Sequence, residues 1–202
     1  MATIRPIRAS RPEPEGMHDH AIENLRYIRS TMERAGSFTA VPGAGGVLMG
    51  LSALASAAAT ALWPHLWLPL WVGGAVAAVV IGIGTAARKA RLAGLPLLAG
   101  PGRKFVAGLV PPIAAGALLT LGMMRAGTTG LIPSVWLLLY GTGVLAGGSA
   151  SVRIVPVMGL CFMALGSLGM FLPSQWGNLL LAAGFGGIHI IFGIIIKVKY
   201  GG

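Results

Sequence analysis

The chain has 202 residues, of which 55% are hydrophobic and only 10% are charged, and its formal net charge is +10. A water-soluble domain carries about 25% charged residues, so this composition excludes an ordinary soluble domain and indicates a membrane protein. All five acidic residues precede residue 35. A membrane domain without carboxylates excludes proton transport through an acidic relay, aspartyl-type proteolysis in the membrane, carboxylate metal sites and cation channels with acidic rings.

The first part of the chain is predicted to lie outside the membrane. Residues 1–16 are rich in proline and charge and are expected to form a disordered tail. Residues 17–36 have the periodicity of a cytoplasmic amphipathic helix with Gly36 as its stop. Because its acidic and arginine residues cancel, its apolar stripe is expected to dock on a protein partner or on lipid headgroups. The predicted docking residues are Leu25, Ile28 and Met32.

Residues 37–202 are predicted to form an all-α membrane domain with six transmembrane helices. Apolar runs of about 20 residues are long enough to cross a bilayer as helices. Six such runs follow one another, at 43–63, 66–87, 105–124, 131–149, 154–173 and 177–196.

The basic residues and the tryptophans predict the orientation of these helices. All of the 15 basic residues except Arg125 lie in the N-terminal segment, in loops on one side, or after the last span. The five tryptophans lie at or near the opposite ends of the helices, where amphipathic rings sit at the headgroup level. Both signals place both termini in the cytoplasm.

The spans carry a repeated pattern. Val-Pro opens each odd-numbered span, as at Val110-Pro111, and Pro-x-x-Trp-x-x-Leu opens each even-numbered one. This repetition predicts one helical hairpin used three times in the same orientation, with Trp67, Trp136 and Trp176 at one level. Small residues four apart are expected where helices meet, at Gly46 and Gly50, Gly143 and Gly147, and Ala182 and Gly186.

Arg125 near the end of span three has two interpretations. If the helix ends there, the guanidinium extends to the outer headgroups. If the helix continues to Ile132, Arg125 lies in the outer leaflet and needs backbone carbonyls or an anion as partners, because no carboxylate is present.

His189 is the one polar residue in the apolar stretch from Gly184 to Ile196. It shares a helical face with small residues, which directs the imidazole into the bundle. It follows Trp176 by 13 residues, so it lies about 20 Å below the outer belt. Ser149 follows Trp136 by the same number and is predicted to be its hydrogen-bond partner, with a carbonyl of span four or five as the alternative.

No cofactor or metal is predicted. His18 and His20, at the start of the cytoplasmic helix, lack the i, i+4 spacing that puts two ligands on one helical face. His65 lies in the outer belt, too far from His189 in depth for the two to ligate one haem.

Gly147-Gly148-Ser149 on span four, with His189 on span six, resembles the rhomboid intramembrane serine proteases. The resemblance implies that Ser149 is a nucleophile and His189 its base. However, Ala150 replaces the second glycine of that motif, span two carries no His/Asn cluster as an oxyanion donor, and the pair would lie in the inner leaflet. An intramembrane hydrolase is therefore the third alternative, and a structural hydrogen bond is favoured.

Three segments, SFTAVPG, VRIVPVMGLCFM and GFGGIHIIFGIII, resemble small multi-pass bacterial inner-membrane proteins to which no function is assigned. That resemblance implies localisation alone.

Together these features predict a non-enzymatic protein that acts through helix association, as an accessory subunit, a partner in a membrane complex or a self-associating protein. Nucleic acid is not an expected partner, because topology already explains the basic residues. The second alternative is a transporter or channel for a small neutral or anionic solute, with Arg125 at its outer mouth. A continuous polar cavity favours transport, and a dry bundle favours association.

Overall fold

The protein is all-helical in the part of the chain that the computed structural model describes, which comprises residues 22, 24, 25, 39, 41–94, 96–98 and 100–200. The chain divides into two compact units, Met1–Gly36 and Ser37–Gly202. The second unit contains six helices at the six places where the sequence predicts spans. They are α1 (Gly43–Leu62), α2 (Trp67–Leu92), α3 (Pro101–Ala126), α4 (Ile132–Gly148), α5 (Ile154–Gly169) and α6 (Ser174–Tyr200).

Five of the six helices are long and apolar enough to cross a membrane when the 3₁₀ turns at Pro64–Leu66 and Thr129–Leu131 are counted with α2 and α4. This is compatible with a multi-pass membrane protein. The exception is α5, whose 16 residues extend about 24 Å at 1.5 Å per residue, less than the hydrocarbon core of about 30 Å. It ends at Gly169, earlier than predicted. Nevertheless α5 runs along all of α4: Gly148 lies against Pro156 at one end, and Gly169 lies against Ser134 at the other.

Helix α6 is not regular along its length. After a 3₁₀ turn at Ser174–Trp176 and an α-helical turn at Gly177–Leu181, residues Ala182–Ile188 form a π-helix, and the α-helix resumes at His189–Tyr200. A π-helix has i→i+5 hydrogen bonds, so it changes the register between residue number and position along the axis.

Helix α3 differs from the prediction at its start. The prediction that Val110-Pro111 opens span three is wrong, because α3 begins at Pro101 and contains Pro111 and Pro112 in its interior. Gly100, with φ +49°, turns the chain into the helix, and Pro101 occupies the first turn, where its missing N–H costs nothing. Interior prolines are tolerated in membrane helices because neighbouring groups satisfy the freed carbonyls.

Helices α1 and α6 pack closely at glycines, as the four-residue spacing predicts. A Cβ added at Gly50 would lie 2.7 Å from the carbonyl oxygen of Gly186, and one added at Gly46 would lie 3.1 Å from the Cα of Gly193. In a membrane, this close backbone approach is a main source of helix association.

Glycines also hold α4 between its two neighbours. Gly108 of α3 lies against the backbone of Gly147, and a Cβ at Gly143 would be 3.2 Å from the Leu109 carbonyl oxygen. On the other side, a Cβ at Gly141 would lie 2.7 Å from the carbonyl oxygen of Gly159 in α5. Helix α4 is therefore a central element of the bundle.

The packing leaves α2 and α3 on the flanks. Helix α2 packs on α1, α1 packs on α6, and α6 contacts α4 and α5, while α3 packs on α4. Helices α2 and α3 hardly touch each other within the described residues, and they are the least buried of the candidate spans. Helix α6 packs more extensively on α1 than on α5. The predicted third hairpin, formed by α5 and α6, is therefore less distinct than the other two. The threefold repeat stays a prediction.

The starts of α2, α4 and α6 lie at one end of the bundle, which we call the tryptophan end. Trp67 and Trp136 stack there with ring centroids 5.8 Å apart, and Ser174, just before Trp176, lies against Gly130, just before α4. At the opposite end, the Lys89 ammonium group donates to the Val41 carbonyl over 3.1 Å.

Candidate functional site

His189 occupies the centre of the bundle and is 4% exposed. It lies where the π-helix of α6 returns to α-helix, and its backbone N–H bonds to the Gly186 carbonyl. Its ring Nδ1 lies 3.0 Å from the Phe185 carbonyl oxygen. Because a carbonyl can only accept, Nδ1 carries the proton in this contact and donates it. π-helical turns inside α-helices are frequent at functional sites.

The second ring nitrogen of His189 contacts Tyr140 of α4. The Tyr140 hydroxyl lies 2.7 Å from Nε2. With the single ring proton on Nδ1, Nε2 is an acceptor, so the tyrosine O–H donates to it. This bond joins α4 to α6 and satisfies both nitrogens of the imidazole.

The predicted hydrogen bond between Ser149 and His189 is not formed. Ser149 is exposed in the turn after α4, and its hydroxyl donates to the Ala146 carbonyl over 2.6 Å. Counting residues from each tryptophan assumes that Trp136 and Trp176 lie at one depth on two regular helices. Ser174 lies against Gly130, so Trp136 is six residues beyond that contact and Trp176 only two, and the π-helix of α6 changes the register further. The contact that suggested a serine hydrolase is therefore absent.

Three aromatic rings surround the imidazole. The centroids of Phe162, Tyr140 and Phe185 lie 5.2, 5.4 and 6.2 Å from that of His189. Phe162 is fully buried and meets Tyr140 edge to face at 4.9 Å. Aromatic pairs in such arrangements contribute about 0.5–1.5 kcal/mol beyond their buried area. The cluster therefore fixes the orientation of the His189 ring.

Two further hydrogen-bond chains join helices nearer the tryptophan end. The Trp71 indole donates to Asn178 Oδ1 over 3.0 Å, and the Asn178 amide donates to the Ala57 carbonyl over 3.1 Å. The Trp136 indole donates to the Thr120 hydroxyl over 2.7 Å, and that hydroxyl donates to the Gly116 carbonyl. The first chain ties α1, α2 and α6 together, and the second ties α3 to α4.

A cavity of about 720 Å³ lies in front of the aromatic cluster. Its wall comes from α1, α2, α3, α4 and α6, and it is apolar except for a few side chains. Side chains of α2 and α3 that line it are exposed at the surface of the bundle, among them Val76, Val80 and Leu121. The cavity therefore opens between α2 and α3 toward the outside of the bundle, and Tyr140 and His189 lie at its inner wall.

Sequence reasoning missed Tyr140 and Asn178, although both left a signal. Tyr140 is the only one of three tyrosines that falls inside a predicted span, and Asn178 is a side-chain amide inside the apolar run 177–196. Polar side chains in membrane segments commonly bond across helices.

The other predicted site residues lie away from this cluster. Helix α3 ends at Ala126, followed by Gly127 with φ +70°, so Arg125 is exposed in its last turn and the helix does not continue to Ile132. Contact of its guanidinium with the outer headgroups stays a prediction. Leu25 is helical and exposed, whereas Ile28 and Met32 lie outside the described residues. Within the described part of the chain, His, Cys, Asp and Glu form no group of three or more suited to a metal ion.

Comparison of the chain with protein-family models, with curated proteins and with solved structures gave no significant match.

Proposed function

We propose that this is a non-enzymatic protein of the bacterial inner membrane that acts by associating with another membrane helix. In this proposal six helices cross the membrane as three like-oriented hairpins, with both termini in the cytoplasm, and the helix belongs to a partner subunit or to a second copy. The single observation that carries the proposal is an unoccupied small-residue face on α2.

That face contains Gly73, Ala77 and Gly84, all exposed. A Cβ added at Gly73 or Gly84 would meet nothing within 4 Å. The two glycines are 11 residues apart, which is close to three helical turns, so they lie on the same side of α2. By contrast, Gly74 of the same helix lies against Ser56 of α1.

Glycine in the middle of a helix is less favourable than alanine by about 1 kcal/mol, because it exposes backbone and restricts a flexible residue. In membranes, small residues compensate when a second helix packs closely on them. The glycines that face α1 have this compensation inside the bundle, and Gly73 and Gly84 do not. A helix outside the chain would supply it.

The interior supports association more than transport. The polar side chains around the cavity form hydrogen bonds within the bundle, and the cavity lining on the flanking helices stops at Val80 of α2 and Pro112 of α3. Arg125 is not part of that lining. A solute path with Arg125 at its mouth therefore has less support than a dry bundle.

Cysteine cross-linking in native membranes tests the proposal. Cys161 is the only cysteine, so Cys161→Ser supplies the background. We expect Ala77→Cys to give an oxidised adduct whose mass identifies a second copy or a partner. Ala164→Cys, which is exposed on α5, is the matched control and should give none.

Gly73→Leu should reduce the Ala77→Cys adduct at least threefold without lowering stability, because no neighbour within the chain would be displaced. Gly122→Leu, on α3 with equally open surroundings, should leave the adduct unchanged. Equal cross-linking at positions 77 and 164, or no adduct at either, would contradict the proposed association face.

A further inference from the structure

We propose that the cavity between α2 and α3 binds an apolar alcohol from the membrane, whose hydroxyl group donates a hydrogen bond to the Tyr140 oxygen. Gly73, Ala77 and Gly84 are not part of the cavity lining, although Val80 on the same side of α2 is. The proposal does not depend on the association proposed above. Its volume of about 720 Å³ lies within the range of about 300–1,000 Å³ that is usual for small-molecule sites.

The hydrogen-bond donors of the cavity wall are already engaged. The Trp71 and Trp136 indoles donate to Asn178 and Thr120, and the Thr120 hydroxyl donates to a backbone carbonyl. The Tyr140 hydroxyl donates to His189, whose Nδ1 donates to a carbonyl in turn. A ligand that can only accept hydrogen bonds, such as an ether or a ketone, therefore finds no donor on this wall.

Tyr140 instead offers an acceptor. The Tyr140 hydroxyl donates its proton to His189, and its oxygen keeps lone pairs that can accept. Within the described residues no other hydrogen bond uses these lone pairs. A ligand hydroxyl that donates to Tyr140 would add a third hydrogen bond to the series that runs from Tyr140 to His189 and from His189 to the Phe185 carbonyl. Successive hydrogen bonds of this kind polarise and strengthen one another in a low-dielectric interior.

Charge excludes the other ligand classes. No Lys or Arg side chain lines the cavity, so an anion has no partner there. The chain has no carboxylate after residue 35, so a cation has none either. The exposed apolar mouth between α2 and α3 instead suits a molecule that reaches the site through the lipid.

The cavity fits a small molecule better than a partner helix. The stacked rings of Trp67 and Trp136 bridge α2 and α4 at the tryptophan end. The lining ends at Val80 on α2 and at Pro112 on α3, so the cavity occupies only part of the length that a membrane-crossing helix needs. The occupant is therefore a compact apolar body with one donor group.

Farnesol and its methyl ether distinguish this proposal from simple hydrocarbon binding, because the ether keeps the apolar chain and loses the donor. The affinity of each compound is measured by its competition with tritiated farnesol for binding to the full chain in lipid nanodiscs. One neutral hydrogen bond predicts that farnesol binds about five- to tenfold more tightly than the ether. Equal affinities, or no saturable binding of farnesol, would overturn the proposal.

Two sets of variants locate the site. His189→Leu frees the tyrosine O–H to donate to the ether, so the preference for farnesol should fall, and it should vanish in the Tyr140→Phe/His189→Leu double variant.

Ala117→Phe on the cavity wall should weaken the binding of both farnesol and its ether at least tenfold. Ala114→Phe, exposed on α3 outside the lining, should weaken neither. An unchanged preference in the double variant, or equal effects at positions 114 and 117, would place any binding elsewhere.

Discussion

The hydrogen bond between Tyr140 and His189 is the central polar contact of the bundle, because it joins α4 to α6 and faces a cavity on one side. Hydrogen bonds between helices in a membrane contribute about 0.6–1.7 kcal/mol each. Leaving one buried partner unsatisfied costs about 1–3 kcal/mol. The contact therefore has a measurable structural role whatever the cavity binds.

Tyr140→Phe should lower the free energy of unfolding by about 1–2 kcal/mol, because His189 Nε2 loses its donor. Thermal unfolding in mild detergent measures the loss. Ser149→Ala, which removes the partner predicted from sequence, and Tyr200→Phe, near the exposed C-terminal end of α6, should each change it by less than about 0.5 kcal/mol.

His189→Leu should likewise cost modest stability, and combined with Tyr140→Phe it should show a coupling of at least about 0.5 kcal/mol. Additive effects of the two substitutions, or a larger loss from Ser149→Ala than from Tyr140→Phe, would show that the bond does not join the helices.

At the scale of the element, glycine has two different roles on the flanking helices. Where it faces another helix of the chain it permits close approach, as Gly108 of α3 does against Gly147 of α4. Where it faces outward, as Gly122 does, it meets no neighbour within 4 Å. Residue type alone does not distinguish the two roles, because both positions lie in apolar sequence.

Gly108→Val should destabilise the bundle by about 1–3 kcal/mol, since the new side chain would overlap the backbone of Gly147 and push α3 away from α4. Gly122→Val is the matched control, with the same change in helix propensity and open surroundings. Unfolding of both variants in the same detergent separates the two effects. If the two substitutions cost the same, helix propensity and not helix packing explains the loss.

At the scale of the whole molecule, the short helix α5 decides whether the chain crosses the membrane five or six times. It runs the full length of α4, which is itself long and apolar enough to cross. Packing along a spanning helix favours a sixth crossing, because a helix that lies beside a span throughout shares its depth.

Labelling of single cysteines with an impermeant maleimide tests this topology. In a Cys161→Ser background on spheroplasts, Thr128→Cys and Gln175→Cys should be labelled, and Ala93→Cys and Ser149→Cys should be protected until the cells are lysed. All four positions are exposed and lie at or beside the ends of helices. Labelling of positions 149 and 175 from the same side would show that α5 does not cross.

The sequence by itself determined the class of protein and the places of its six helices, because the cost of burying polar groups in a bilayer acts on each segment separately. It also predicted that α1, α4 and α6 meet other helices at small residues four apart, since such residues mark one face of a helix whatever that face meets. It placed His189 inside the bundle for the same reason. Which helix each face meets came from the structure.

Only the tertiary structure decided which residue meets His189. The choice of Tyr140 over Ser149 depends on the relative depths at which α4 and α6 begin and on the π-helix at Ala182–Ile188, and neither leaves a periodic signal in the sequence. The cavity likewise exists because α2 and α3 pack on different neighbours and not on each other. Such pairings are properties of several segments together, so no single segment encodes them.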